Sequence, residues 1–79
     1  MKVRILFFGA TADVVGKREV TVSPGLNRSA RDVFKEIISD YPQLQSHKLL
    51  FSVNQEFASG SELIRDGDEL AIFTAVSGG

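Results

Sequence analysis

The sequence predicts an α+β fold, a mixed sheet of four to five strands gripping one main helix. Three observations predict it. Residues 2–8 read Lys-Val-Arg-Ile-Leu-Phe-Phe and alternate with a strand's period of two. Residues 30–41 carry a single apolar stripe at helical spacing. Strand alternation then returns in short pieces, the last at residues 70–74. At 79 residues the chain is one domain. A chain this short buries only about 60% of the surface its unfolded form exposes, and its core supplies just a few kcal/mol (~3–5), so packing must be economical.

In the first strand Val3, Ile5 and Phe7 share one face, and Lys2, Arg4, Leu6 and Phe8 the other. Gly9 ends it, and residues 10–15 make a short helical turn stopped by Gly16. Residues 18–22 form a second strand with Val20 and Val22 on one face, ended by Ser23-Pro24-Gly25. The main helix, residues 30–41, aligns Ala30, Val33, Phe34, Ile37, Ile38 and Tyr41. Ser29 is placed as its N-cap, with Asp32 three residues on in the spacing of a capping box. Pro42 stops it by pushing Tyr41 out of the helical region. A helix with one apolar stripe must lie on a neighbour, and here only a sheet is available.

The second half predicts a strand at 49–53 with Phe51 and Val53 on one face, then an Asn54-Gln55 turn into a short strand at 56–58. Residues 59–61 are a loop, Leu63 and Ile64 a local apolar plug, and Asp66-Gly67-Asp68 a turn. The last strand sets Leu70 and Ile72 on one face, Ala71 and Phe73 on the other. This order gives a ubiquitin-like β-grasp over residues 1–74, followed by a flexible Gly-Gly tail over residues 75–79.

Composition removes several function classes. Without cysteine there is no disulfide, thiolate metal site or thiol nucleophile. The single histidine, His47, is expected in an exposed loop and has no second histidine with which to hold a metal. Nine Lys and Arg against ten Asp and Glu leave a net charge of −1, which argues against a nucleic-acid partner. No apolar run approaches the roughly 18 residues of a membrane span, and no signal-peptide apolar stretch opens the chain. The expectation is a cytoplasmic protein that binds no metal, cofactor, nucleic acid or membrane.

Three features bear on function. The sequence ends Ala75-Val76-Ser77-Gly78-Gly79, and an extended tail of that length reaches roughly 17 Å at about 3.4 Å per residue. Glycines let such a tail thread a narrow groove and present its terminal carboxylate inside another protein's site. Second, strand parity leaves Leu6, Phe8, Ala71 and Phe73 on the sheet face away from the helix, and a contiguous exposed aromatic patch marks an interface. Third, no Ser-His-Asp set, framed carboxylate pair or Gly-rich phosphate loop is present. The Asp66–Glu69 acids read as a solvated turn, and any chemistry belongs to the carboxyl end, in another protein's site.

The sequence resembles the small, sulfur-carrying subunit of molybdopterin synthase. The matching stretches are Ile5-Leu6-Phe7-Phe8-Gly9-Ala10, Tyr41-Pro42-Gln43-Leu44, Val53-Asn54-Gln55-Glu56, Asp66-Gly67-Asp68-Glu69-Leu70-Ala71-Ile72-Phe73 and Val76-Ser77-Gly78-Gly79. Thr74-Ala75 stands where that family usually has two prolines, and Leu26-Asn27-Arg28-Ser29 departs from its usual helix entry. The resemblance implies a protein that is no enzyme by itself. An adenylating enzyme, using ATP, converts the Gly79 carboxylate to an acyl-adenylate. A sulfur donor protein then yields the thiocarboxylate. The tail enters the large catalytic subunit of a heterotetramer, where its sulfur passes to cyclic pyranopterin monophosphate. Gly78 serves the threading of the tail, and Phe8, Phe57, Phe73, Val76 and Ser77 are the implied partner contacts. Three alternatives stay open: a carrier of the same class for thiazole synthesis or tRNA thiolation, a ubiquitin-like modifier of a different class joined through Gly79 to lysines, and a simple binding module whose tail is incidental.

Overall fold

Val3, Ile5 and Phe7 are buried along the first strand, β1 (Val3–Phe7), while Arg4 between them is exposed. The alternation thus sets one face of the sheet against a core, as strand geometry requires. The computed structural model describes residues 1–75. After β1 come α1 (Ala10–Val15), β2 (Glu19–Val22), α2 (Ala30–Asp40), a 3-10 helix (Pro42–Ser46), β3 (Leu49–Val53), β4 (Glu56–Phe57) and β5 (Glu69–Thr74). The strands form one sheet in the order β2-β1-β5-β3-β4. Only β1 and β5 run parallel, with Ile5 opposite Leu70 and Leu6 opposite Ala71. The pairs β1–β2, β3–β5 and β3–β4 are antiparallel. The last strand therefore occupies the middle of the sheet.

The apolar stripe of α2 lies on the inner face of that sheet. Ala30, Val33 and Ile37 meet Val3, Ile5, Phe7, Leu70 and Ile72 in one core. Fully burying a side chain such as Ile37 or Ile72 contributes about 1.5–3 kcal/mol. Two aromatic pairs extend this core. Phe34 stacks on Phe51 with centroids 4.5 Å apart, and Phe7 meets Tyr41 edge-on at 5.7 Å. Val20 and Val22 are only half-buried, because β2 is an edge strand.

The ends of α2 follow from its sequence. Ser29 accepts from the Asp32 N–H through its hydroxyl at 3.2 Å, and the Asp32 carboxylate accepts from the Ser29 N–H at 3.3 Å, completing the expected capping box. Two carbonyls of the loop at residues 59–62 take the remaining donors. Ala30 N–H reaches Glu62 O at 2.7 Å and Arg31 N–H reaches Gly60 O at 3.0 Å. The helix ends at Asp40, one residue short of the expectation. Tyr41 turns to φ −126° as its capping residue ahead of Pro42.

Other expectations need correcting. Leu63 is not part of an apolar plug. It is exposed, and Ile64 alone is buried there, because Leu63 pairs with Ser29 in an isolated bridge that turns alternate residues to opposite sides. The fourth strand is two residues long, without Ala58. Leu44, in the 3-10 helix, is a wholly buried core residue that the sequence reading did not single out.

Candidate partner-binding face

The face of the sheet turned away from α2 is built by the outward residues of four strands. Register aligns them in rows across the strands. Leu6 lies opposite Ala71, Ala71 opposite Ser52, and Ser52 opposite Phe57. One step toward the C-terminal end of β5, Phe73 lies opposite Leu50. Phe8, directly after β1, donates its N–H to Ile72 O at 3.0 Å, which carries the β1–β5 alignment on to Phe73.

The three aromatics expected at this surface are brought to it. Phe8 is 51% exposed and Phe57 78%. Phe73 is half-buried, with Phe57 packed edge-on against it at a centroid distance of 5.9 Å. Leu50, 42% exposed, adds to the patch. Leu50 was not among the expected contacts, although the parity of Phe51 and Val53 assigns it to this face. Ala71 is a correction. It sits on the outer side of the central strand but is only 7% exposed, since a lone methyl between two flanking strands lies below its larger neighbours.

Toward the N-terminal end of β5 the same face turns polar. Arg4 and Glu69 are paired across β1 and β5 with Nη2 2.8 Å from Oε2. At the other end β5 closes with Ala75 N–H on Lys48 O at 2.9 Å. The aromatics thus crowd the end at which the chain leaves the sheet. A cleft of about 540 Å³ borders them and shares Leu6 and Phe8, with Asp13, Arg18 and Glu19 on its wall. Val76, Ser77, Gly78 and Gly79, expected to form the working tail, lie outside the described residues. Among the described residues no three His, Cys, Asp or Glu are gathered as a metal site, and no helix is long and apolar enough to cross a membrane. His47 is exposed beside the 3-10 helix.

Residues 5–79 match the model of the ThiS family. The chain belongs to that family. It is 34% identical over 83 residues to the molybdopterin synthase sulfur carrier subunit of Chlamydomonas reinhardtii, with all of both chains covered. The human protein of that name is 32% identical over 83 residues, covering 99% of this chain and 94% of its own. Among solved structures, SAMP1 from Haloferax volcanii superposes with a TM-score of 0.86 at 28% identity over the whole of both chains. The β-grasp architecture expected from the sequence is the one this ThiS-family chain adopts.

Proposed function

We propose that this ThiS-family chain is the sulfur carrier of molybdopterin synthase in molybdenum cofactor biosynthesis. The observation that carries the reading is the aromatic face of Phe8, Phe57, Phe73 and Leu50, gathered where β5 delivers the chain toward Gly79. A partner that covers this face receives the tail beside it. Curated relatives matching 99–100% of this chain, named as sulfur carrier subunits of molybdopterin synthase, support the assignment.

The chemistry is that of a poor electrophile made reactive. The Gly79 carboxylate attacks the α-phosphate of ATP on an adenylating partner, giving an acyl-adenylate and pyrophosphate. Sulfide supplied by a sulfur donor protein then adds to the acyl carbon, AMP leaves, and the terminus becomes a thiocarboxylate. Inserted into the large catalytic subunit, that sulfur bonds to a carbon of cyclic pyranopterin monophosphate while water replaces it on the acyl carbon and restores the Gly79 carboxylate, and two such transfers build the dithiolene. Gly78, without a side chain, lets the terminus pass the constriction, while Val76 and Ser77 line the partner's groove. The carrier holds no cofactor and contributes no catalytic side chain.

Intact mass of the chain recovered from its own cells tests the reading. One oxygen replaced by sulfur, located on Gly79 by sequencing the C-terminal peptide, is the expected result. An unmodified carboxylate while molybdenum cofactor is being made overturns it. A second reading, a ubiquitin-like protein modifier, is favoured by the likeness to small archaeal modifier protein 1. Gly-Gly remnants on lysines of other proteins are its signature.

A further inference from the structure

We infer that Thr11 is a positioning residue for the partner-binding face. Its buried hydroxyl fixes the backbone of Phe8 against β5, so that Phe8 stands beside Phe73 as one surface. The inference rests on the proposed reading of that face.

Thr11 is 1% exposed, and with Ser52 it makes up the buried polar residues among those described. A hydroxyl in such a place costs stability unless it is bonded, and valine fills the same volume without that cost. The bonds it makes are specific. Thr11 Oγ1 lies 2.6 Å from Phe8 O and 3.0 Å from Ile72 O, so its single proton is shared between two carbonyls. The bond to Ile72 spans 61 residues of sequence and joins the first turn of α1 to β5.

Each carbonyl belongs to a peptide plane that carries one of the aromatics. The plane of Phe8 O includes the Phe8 Cα, and the plane of Ile72 O includes the Phe73 Cα. Thr11 N–H also reaches Phe8 O, at 3.2 Å, and Phe8 N–H reaches Ile72 O, at 3.0 Å. Both planes are thus held from two directions. The Phe8 plane needs this, because β1 ends at Phe7 and Gly9 takes φ 57°, whereas Phe73 stays in the ladder opposite Leu50. Fixing the Phe8 plane against the Ile72 carbonyl sets ψ of Phe8, and with it the direction of the Phe8 Cα–Cβ bond relative to Phe73.

The test compares Thr11→Val, which keeps the shape and loses the hydroxyl, with Thr11→Ser, which keeps the hydroxyl. In the free protein, amide exchange at Phe8 should speed at least tenfold in Thr11→Val relative to Ile5 in the same molecule, and return toward wild type in Thr11→Ser. Affinity for the purified large subunit of molybdopterin synthase should fall five- to tenfold in Thr11→Val and recover in Thr11→Ser. On a Phe8→Ala background, Thr11→Val should cost little further affinity. Unchanged exchange at Phe8, or an undiminished loss on that background, overturns the inference. A wild-type chain that fails to bind the large subunit counts against the proposed function instead, and the exchange measurement still decides whether Thr11 holds Phe8. Should Thr11→Val not fold, the same exchange ratio read in Thr11→Ala decides it.

Discussion

The Asn54 side chain donates from Nδ2 to Asp68 Oδ1 at 3.0 Å, and its own Oδ1 accepts the Glu69 N–H at the same distance. One carboxamide thus clamps the turn after β3 to the start of β5. Asn54 N–H closes the arrangement on Glu69 O at 2.8 Å, and Asp68 Oδ2 also accepts the Arg65 N–H at 2.8 Å. Asn54 sits at φ 50°, in the left-handed region that asparagine tolerates better than most residues. Asn54→Ala therefore loses two hydrogen bonds and adds backbone strain, for an expected loss of about 1–3 kcal/mol. Asn54→Gly relieves only the strain and should fall between alanine and wild type. Urea denaturation of the three proteins checks the order.

The aromatic face predicts losses in binding without losses in folding. Phe8 is 51% exposed, so Phe8→Ala should change stability by less than about 0.5 kcal/mol. Phe73→Ala or Phe8→Ala should weaken binding to the large subunit by more than about 1 kcal/mol where the residue is a hot spot. Titration calorimetry with the purified subunit measures this. Unchanged affinity in both variants removes the interface.

Acid should act through the loop that caps α2. The Ser59 N–H, then the N–H groups of Glu62 itself and of Gly60, hold the Glu62 carboxyl below its ordinary value of 4.5, with the Ser59 and Gly60 bonds at 2.7 and 2.8 Å. The Ser29 N–H and hydroxyl hold Asp32 below 3.8. Both folded-state values are depressed, so their stabilising contribution is complete above the unfolded values and is lost as pH falls through the folded ones. The Tm of Glu62→Gln should lie below wild type at pH 7, and the two curves should converge in acid. A gap that persists at pH 2 contradicts this account.

Gly60 offers a separate test of the same loop. It adopts φ 109°, and an added Cβ meets the Arg31 guanidinium at 2.7–2.9 Å. That guanidinium end is a flexible neighbour, so the backbone strain is the larger cost. Gly60→Ala should lose about 1–3 kcal/mol, and an Arg31→Ala background should relieve little of it. Thermal unfolding of the single and double variants reads this directly.

The sequence made the periodic parts of this fold legible. Val3, Ile5 and Phe7 face the core, and Ser29 with Asp32 caps α2, because each depends on spacing within one segment. What it hid depends on segments meeting. Leu44 lies in a non-periodic turn, yet is wholly buried. Asp68 reads as a solvated acid until Asn54, 14 residues away, is folded against it. Of the candidate face, Phe8, Phe57 and Phe73 were named in advance. Leu50 follows from the same strand parity that turns Phe51 and Val53 inward. Thr11 was not legible, since a hydroxyl's partners are two carbonyls whose proximity only the tertiary structure creates.

The central place of β5 also governs how the domain is assembled. Arg4 and Glu69 pair across 65 residues of chain, and until β5 docks, neither β1 nor β3 has a neighbour on its inner edge. Local segments gain little by forming early, because closing so large a loop comes before the contacts that reward it. The domain is therefore expected to fold slowly for its size and in a single step, without a stable half-folded form. Only a chain whose last strand is already in place would then offer its aromatic face to a partner.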